Sequence, residues 1–124
     1  MENNFIYLCS PYSHKLPEVR EMRFQAACHC AAILMRRGLF VFSPIAHSHP
    51  IALAGDLPKG FDYWEHFDRW AINSCNSVAV LAIDGYIEST GITAETKYAA
   101  TLGKRIQYIG PEQVGLKPNG ERAE

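Results

Sequence analysis

Short unbroken apolar runs along this 124-residue chain alternate with longer stretches in which apolar residues return every third or fourth position. Phe5-Ile6-Tyr7-Leu8-Cys9 is the first such run and predicts a buried strand. Pro11 ends it, because a residue without a backbone N–H cannot continue the pairing. From Pro17 to Arg37 the spacing changes. Val19, Met22, Ala26, Ala27, Cys30, Ile33 and Leu34 form one stripe, with Glu18, Arg20, Glu21, Arg36 and Arg37 outside it. This predicts an amphipathic helix opened by Pro17 and closed by Gly38. Leu39 to Phe42 predicts a second strand, stopped by Ser43-Pro44. Ile45 to Lys59 has no clear period and is expected to be a long irregular segment, which in a small domain usually serves function. Helical spacing returns from Phe61 to Asn73, with Trp64, Phe67, Trp70 and Ala71 on one side and Asp68 near the face of Trp64. Ser77 to Ile83 is a nearly continuous apolar run, the mark of a strand covered on both faces. Thr93 to Leu102 predicts a helix ended by Gly103, and Arg105 to Ile109 a last strand stopped by Gly110-Pro111. The tail from Glu112 to Glu124, with Gly115, Pro118, Gly120 and a charged end, is expected to be poorly ordered.

Short buried strands alternating with helices predict a single α/β domain over residues 1–111, flavodoxin- or Rossmann-like. Its parallel sheet of four or five strands should carry helices on both faces. Ligands on such sheets bind beyond the carboxyl ends of the strands, where the strand order reverses. Three loops meet that description, at residues 9–13, 43–49 and 84–91, and they hold most of the candidate polar residues.

Composition narrows the partners. A formal net charge of −1 gives no electrostatic footprint for a nucleic acid polymer or an anionic membrane. No apolar run approaches the roughly 18 residues of a membrane span. Glu2 stands where a secretory signal has basic residues, so a cytoplasmic protein is expected. Cys28 and Cys30 flank His29 within a helical pattern, where residues two apart point to different faces. They do not share a zinc there, and the four cysteines read as reduced, mostly buried thiols.

Candidate chemistry centres on Glu95, placed by the pattern in the first turn of its helix. A helix N-terminus favours the ionised carboxylate, which suits a nucleophile or base better than an acid. Ser89-Thr90-Gly91 brings hydroxyls and a flexible residue to the same end, where free N–H groups form a natural anion seat. The same residues also fit a plainer arrangement, with Ser89 or Thr93 capping the helix and Glu95 a solvated acid. The glycines fit neither a P-loop nor a dinucleotide fingerprint.

Several motifs together resemble the nucleoside 2-deoxyribosyltransferase superfamily. They are Ile6-Tyr7-Leu8-Cys9-Ser10-Pro11-Tyr12, the helix ending at Gly38, Phe42-Ser43-Pro44, Trp64 with Asp68, and Ser89-Thr90-Gly91-Ile92-Thr93-Ala94-Glu95 ending in Gly103-Lys104. The resemblance covers about residues 5–110, and its nearest branch carries the His47-Ser48-His49-Pro50 element. It implies Glu95 as the nucleophile attacking the anomeric carbon of a 2-deoxyribose, Tyr7 as the hydroxyl that holds it, and Asp68 as the second carboxyl near the leaving base. Ser10, Pro11, Tyr12, Ser43, His47, Ser89 and Gly91 are the implied substrate-binding residues. Ser89 stands where nucleoside transferases tend to have aspartate and the related deoxynucleoside 5′-monophosphate N-glycosidases have a phosphate-contacting serine. The implied reaction is therefore hydrolysis of a 2′-deoxynucleoside 5′-monophosphate or nucleoside, with base exchange by transfer as the alternative. The first loop departs from the Gly- and Arg-rich loop of those glycosidases, which leaves Ser13, His14 or His47 for the anion.

Breaking an N-glycosidic bond develops oxocarbenium character, so it needs a carboxylate on one face and a proton donor at the leaving group. No cofactor and no metal are required. A raised pKa would fit Asp68 for that donation, and Trp64 and Phe67 could supply the apolar setting. Asp84 is a weaker candidate that equally fits a turn cap. His47 and His49, if on a strand, would share a face and could bind zinc with a nearby Asp. A non-catalytic nucleotide-binding or sensing module is the reading of another class. Relatives assemble, which implies a homodimer or homotetramer, with the aromatic 61–73 helix as a contact surface.

Overall fold

The computed structural model describes residues 4–58 and 60–124, so residues 1–3 and Lys59, the end of the segment expected to be irregular, lie outside the described residues. Four strands, β1 (Phe5–Cys9), β2 (Phe40–Phe42), β3 (Ser77–Leu81) and β4 (Arg105–Ile109), form one sheet in the order β2-β1-β3-β4, all parallel. Helices α1 (Pro17–Arg36), α2 (Pro44–Gly55), α3 (Phe61–Ser74) and α4 (Thr90–Thr101) connect them. The architecture is the expected Rossmann-like α/β fold, with four strands.

Alternation along the strands sorts the core into two halves. Ile6 and Leu8 of β1 and Ala79 and Leu81 of β3 join Ala26, Cys30 and Leu34 of α1 on one face. Tyr7 and Cys9 with Val78 and Val80 join Ala71 and Ile72 of α3 and Ile92 and Ala99 of α4 on the other. Both central strands are buried on both faces, which is why they read as continuous apolar runs. From β1 the chain first steps outward to β2, then crosses back to lay β3 on the other side of β1. The order reverses between β1 and β3, whose carboxyl ends lie side by side at Cys9 and Val80. A cleft opens there. Among the described residues no helix is long and apolar enough to cross a membrane.

Three expectations need correction. Residues 44–55 are helical, not irregular. Ser43 caps α2, its Oγ accepting from the Ala46 N–H at 3.1 Å, Pro44 takes the first turn, and Asp56 ends the helix in the left-handed region at φ 54°. Its polarity is inverted, with Ser48 and His49 buried while Ile51 and Leu53 are exposed, and Pro50 interrupts it. Hydrophobic periodicity could not reveal such a helix. Next, α4 begins three residues before the expected Thr93, capped by the Ser89 hydroxyl that accepts from the Ile92 N–H. Glu95 therefore lies in its second turn.

Last, the tail is ordered. A 3-10 helix at Pro111–Val114 leads into a bridge between Leu116 and Arg122, with Val114 and Leu116 buried in the α1 half of the core. His29 Nε2 lies 2.8 Å from the Val114 carbonyl, and Arg37 donates to the Gln113 carbonyl at 3.1 Å. Gly120, at φ 104°, lies so close to Met22, Ile83 and Ala26 that a Cβ would meet Met22 Sδ at 2.9 Å. Two buried apolar side chains and close backbone packing outweigh a glycine- and charge-rich composition. Truncation of one of those side chains, Leu116→Ala, is expected to destabilise the domain by about 2–4 kcal/mol. Urea unfolding would show this as a lowered midpoint; a change under about 0.5 kcal/mol would mean that the tail does not close the core.

Candidate active site

Because Tyr7 occupies the strand position facing α3 and α4, its hydroxyl reaches the helix that carries Glu95. It donates to Glu95 Oε2 in a short, buried hydrogen bond. Asp68 of α3 approaches the same group. Both carboxyls are buried, Asp68 at 7% and Glu95 at 8% exposure. Burial pushes Asp68 up to about 7. It also pushes Glu95 up, to about 8, against the pull of the Tyr7 hydroxyl and with a further push from the Asp68 charge. The helix dipole therefore does not settle the state of Glu95, contrary to expectation. Desolvation in the second turn outweighs a dipole that fades beyond the first.

Above this pair lies a cavity of about 650 Å³, within the range of small-molecule sites. It sits at the switch between β1 and β3, lined by the loop after β1, the Gly85–Gly91 turn, α2 and the start of α3. Two buried polar atoms in its lining, Ser10 Oγ and Asp68 Oδ1, have no hydrogen-bond partner among the described residues. Atoms so placed favour a bound polar group. With Glu95 Oε2 held by Tyr7, Oε1 is the oxygen left towards the cavity; a Cβ added at Gly91 would sit 4.0 Å from it. Phe61, Trp64, Ile45 and Ile92 supply apolar wall.

Of the expected site residues, Glu95, Asp68, Ser10, Tyr12, Ser89 and Gly91 come together around this cavity. Tyr7 lies beneath it, fully buried. Three others stand apart from the lining. Pro11 is buried in the loop, Ser43 spends its hydroxyl capping α2, and His47 stacks on Phe67 with ring centroids 5.1 Å apart. His47 and His49 lie on a helix, not a strand, and diverge: His49 turns inward to Tyr12 and Glu21. Among the described residues no group of three or more His, Cys, Asp or Glu is arranged to hold a metal ion. The four cysteines are free.

Sequence reasoning passed over Arg23, whose guanidinium lines the cavity. Its Nη1 donates to the Ser13 carbonyl at 2.8 Å, and the group lies against Gly85, where a Cβ would meet Nη2 at 2.5 Å. Glycine is needed at 85 both for this approach and for a φ of 97°. His14 and Ser13 also line the cavity, as do the acids Asp62 and Glu88. A signal for Arg23 did exist. A helix that follows a parallel strand begins at the cleft end of the sheet, so polar residues in its first two turns are candidates.

The chain belongs to the family described as a domain of unknown function (DUF1937), which matches residues 4–110. No curated protein matches the sequence.

The two raised carboxyls bind protons more tightly folded than unfolded, so they make stability fall as pH rises from about 4 through the folded values near 7 and 8. Each unit of displacement is worth about 1.4 kcal/mol. Asp68→Asn removes one of these groups and is expected to stabilise the fold by up to about 4 kcal/mol at pH about 9 and hardly at all near pH 4. Thermal unfolding across that range tests it, and an equal change at both ends would refute a buried, proton-binding Asp68.

Proposed function

We propose that this chain is an N-glycosidase that cleaves the base from a 2′-deoxynucleoside 5′-monophosphate, or from the nucleoside, with Glu95 as nucleophile. One observation carries the reading. A buried carboxyl has one oxygen fixed by a phenol and the other turned to a cavity, beside a second carboxyl raised toward neutrality. The motif resemblance to nucleoside 2-deoxyribosyltransferases supplies the substrate class, and the cavity suits a nucleotide in size.

The chemistry needs the pair to share one proton and to hold it on Asp68. Two interacting carboxyls do not ionise together easily. Burial leaves Glu95, at about 8, above Asp68, at about 7, so a shared proton rests first on Glu95. The Tyr7 hydroxyl pulls the other way, and the positive charge that develops at C1′ draws the anion to Glu95 and leaves the proton to Asp68. Glu95 Oε1 then attacks C1′ as the C1′–N bond breaks, and Asp68 gives its proton to the departing base. Phe61 and Trp64 offer faces for the base. The Arg23 guanidinium lies against the turn that leads to Ser89, and the hydroxyls of Ser89 and Thr90 with the first N–H groups of α4 complete an anion seat for a 5′-phosphate. Ser89 accepts one bond as a cap and keeps its O–H to donate. An oligomer has a surface available on the outer side of α3, where Trp70 is 66% exposed.

Incubation with deoxynucleosides and their monophosphates should release free base, and the monophosphates should be preferred. Glu95→Gln should reduce that release by at least about a thousandfold while the protein stays folded. Nucleotide binding without base release would instead favour the sensing module. Capture of the sugar by a second added base would favour transfer.

The pH profile of kcat/KM should be bell-shaped with its maximum near neutrality, rising as the pair loses its first proton and falling as Asp68 loses the second. Tyr7→Phe removes the bond that draws the Glu95 pKa down, so the acid limb should move to higher pH and kcat should fall about tenfold to a hundredfold. An unmoved acid limb would sink the role given to Tyr7.

A further inference from the structure

In the wall of the same cavity stands a polar chain that the first half of this reaction does not use. His49 of α2 is buried, its ring stacked on Phe24 of α1 with centroids 4.4 Å apart. Its Nε2 lies 3.0 Å from Glu21 Oε1, and its Nδ1 lies 2.7 Å from the Tyr12 hydroxyl. Hydrogen bonds from Gln25 and His49 hold the Glu21 carboxyl below its usual range, so it is ionised near neutrality and can only accept. Nε2 therefore carries the imidazole proton. Nδ1 is left with its lone pair, and Tyr12 donates to it. Tyr12 also lines the cavity that Asp68 and Glu95 line. With its proton turned to His49, its oxygen offers only lone pairs to whatever enters.

We propose that Tyr12, His49 and Glu21 form a proton relay that takes a proton from the water resolving a glycosyl–Glu95 intermediate. The proposal rests on the glycosidase reading for the origin of that intermediate. The water oxygen bonds to C1′, the C1′–Oε bond breaks, and its electron pair returns to the Glu95 carboxylate. The water proton moves to the Tyr12 oxygen as the proton of Tyr12 moves to His49 Nδ1. His49 becomes an imidazolium whose Nε2–H faces Glu21. Once the sugar leaves, the path runs backwards through Tyr12 to water in the vacated cavity, and Asp68 regains the proton it gave to the base. The logic is that of a Ser-His-Asp triad with a phenol in place of the serine hydroxyl, used to activate water and not to attack.

The charged and titratable groups facing the relay come from two other elements besides α2: Glu21, Arg20 and Cys28 from α1, and Tyr12 from the loop after β1. Burial raises the Tyr12 pKa, Arg20 lowers it and Glu21 raises it, with a net rise. The phenol thus passes a proton on and does not stand as a phenolate. Glu21 stands at the solvent end, its side chain 52% exposed.

Two measurements test the relay. Nitrogen NMR of His49 should show the Nε2–H tautomer in the wild-type protein; the Nδ1–H tautomer would overturn the proposal, because Tyr12 would then face the cavity as a donor. Rapid-quench kinetics should compare wild type with Glu21→Gln and His49→Gln. Both variants should release the first base at close to the wild-type rate. Steady-state turnover should fall about tenfold in Glu21→Gln and about a hundredfold in His49→Gln, with glycosyl-Glu95 accumulating in the mass spectrum. Unchanged turnover, or equal loss in both half-reactions, would reduce the triad to a structural link between α1 and α2 and overturn the relay. Wild-type protein that releases no base sinks the glycosidase reading and water as the proton source together. The tautomer then judges the geometry of the relay by itself.

Discussion

Two carboxyl groups buried on one side of a parallel sheet are the constraint around which this domain is arranged. Each would be more stable in water, and burial raises the pKa of both toward neutrality. What offsets the penalty at Glu95 is one phenol, supplied by a strand residue that alternation forces onto the same face. Asp68 has less, since its Oδ1 has no partner among the described residues. The rest of the domain holds this unfavourable pair in place with an apolar core on each face of the sheet.

The position of the pair follows from topology. Residues of β1 facing α3 and α4 must meet what those helices carry, and the reversal between β1 and β3 leaves an opening above them. The loop after β1 brings hydroxyls and the His14 imidazole to the cavity, and α1 brings the Arg23 guanidinium. The fold thus places a buried carboxyl pair beneath and polar groups around the rim, at the position where parallel α/β sheets commonly build sites.

The fold was legible because strands buried on both faces and helices with one apolar stripe leave opposite signatures in sequence. Glu95, Asp68 and Tyr7 could be named from motif resemblance, although Glu95 lies a turn deeper than the pattern placed it. Helix α2 escaped because it buries Ser48 and His49 and exposes Ile51 and Leu53, the reverse of what periodicity detects. Pro50 in its interior weakened the signal further. His47 and His49 looked equivalent until the helix turned them apart. Arg23 escaped for another reason: it looks like one more solvated charge until Gly85 is seen to make room for it. The tail was misjudged from composition, which says nothing of two apolar residues that find a vacancy beside α1.

That tail reaches further than the core it covers. The Pro118 carbonyl accepts from the Asp84 N–H at 2.8 Å, fixing the turn after β3 from behind. The same turn carries Gly85, against which the Arg23 guanidinium lies, and runs on to Ser89. The rim of the cleft is thereby tied to residues some 30 positions later in the sequence, after all four strands. A small domain folds as a unit, so sheet and rim form in one event and not in sequence. A change at Pro118 or Gly120 therefore reaches the shape of the cleft through Asp84 and Met22, although neither tail residue lines it.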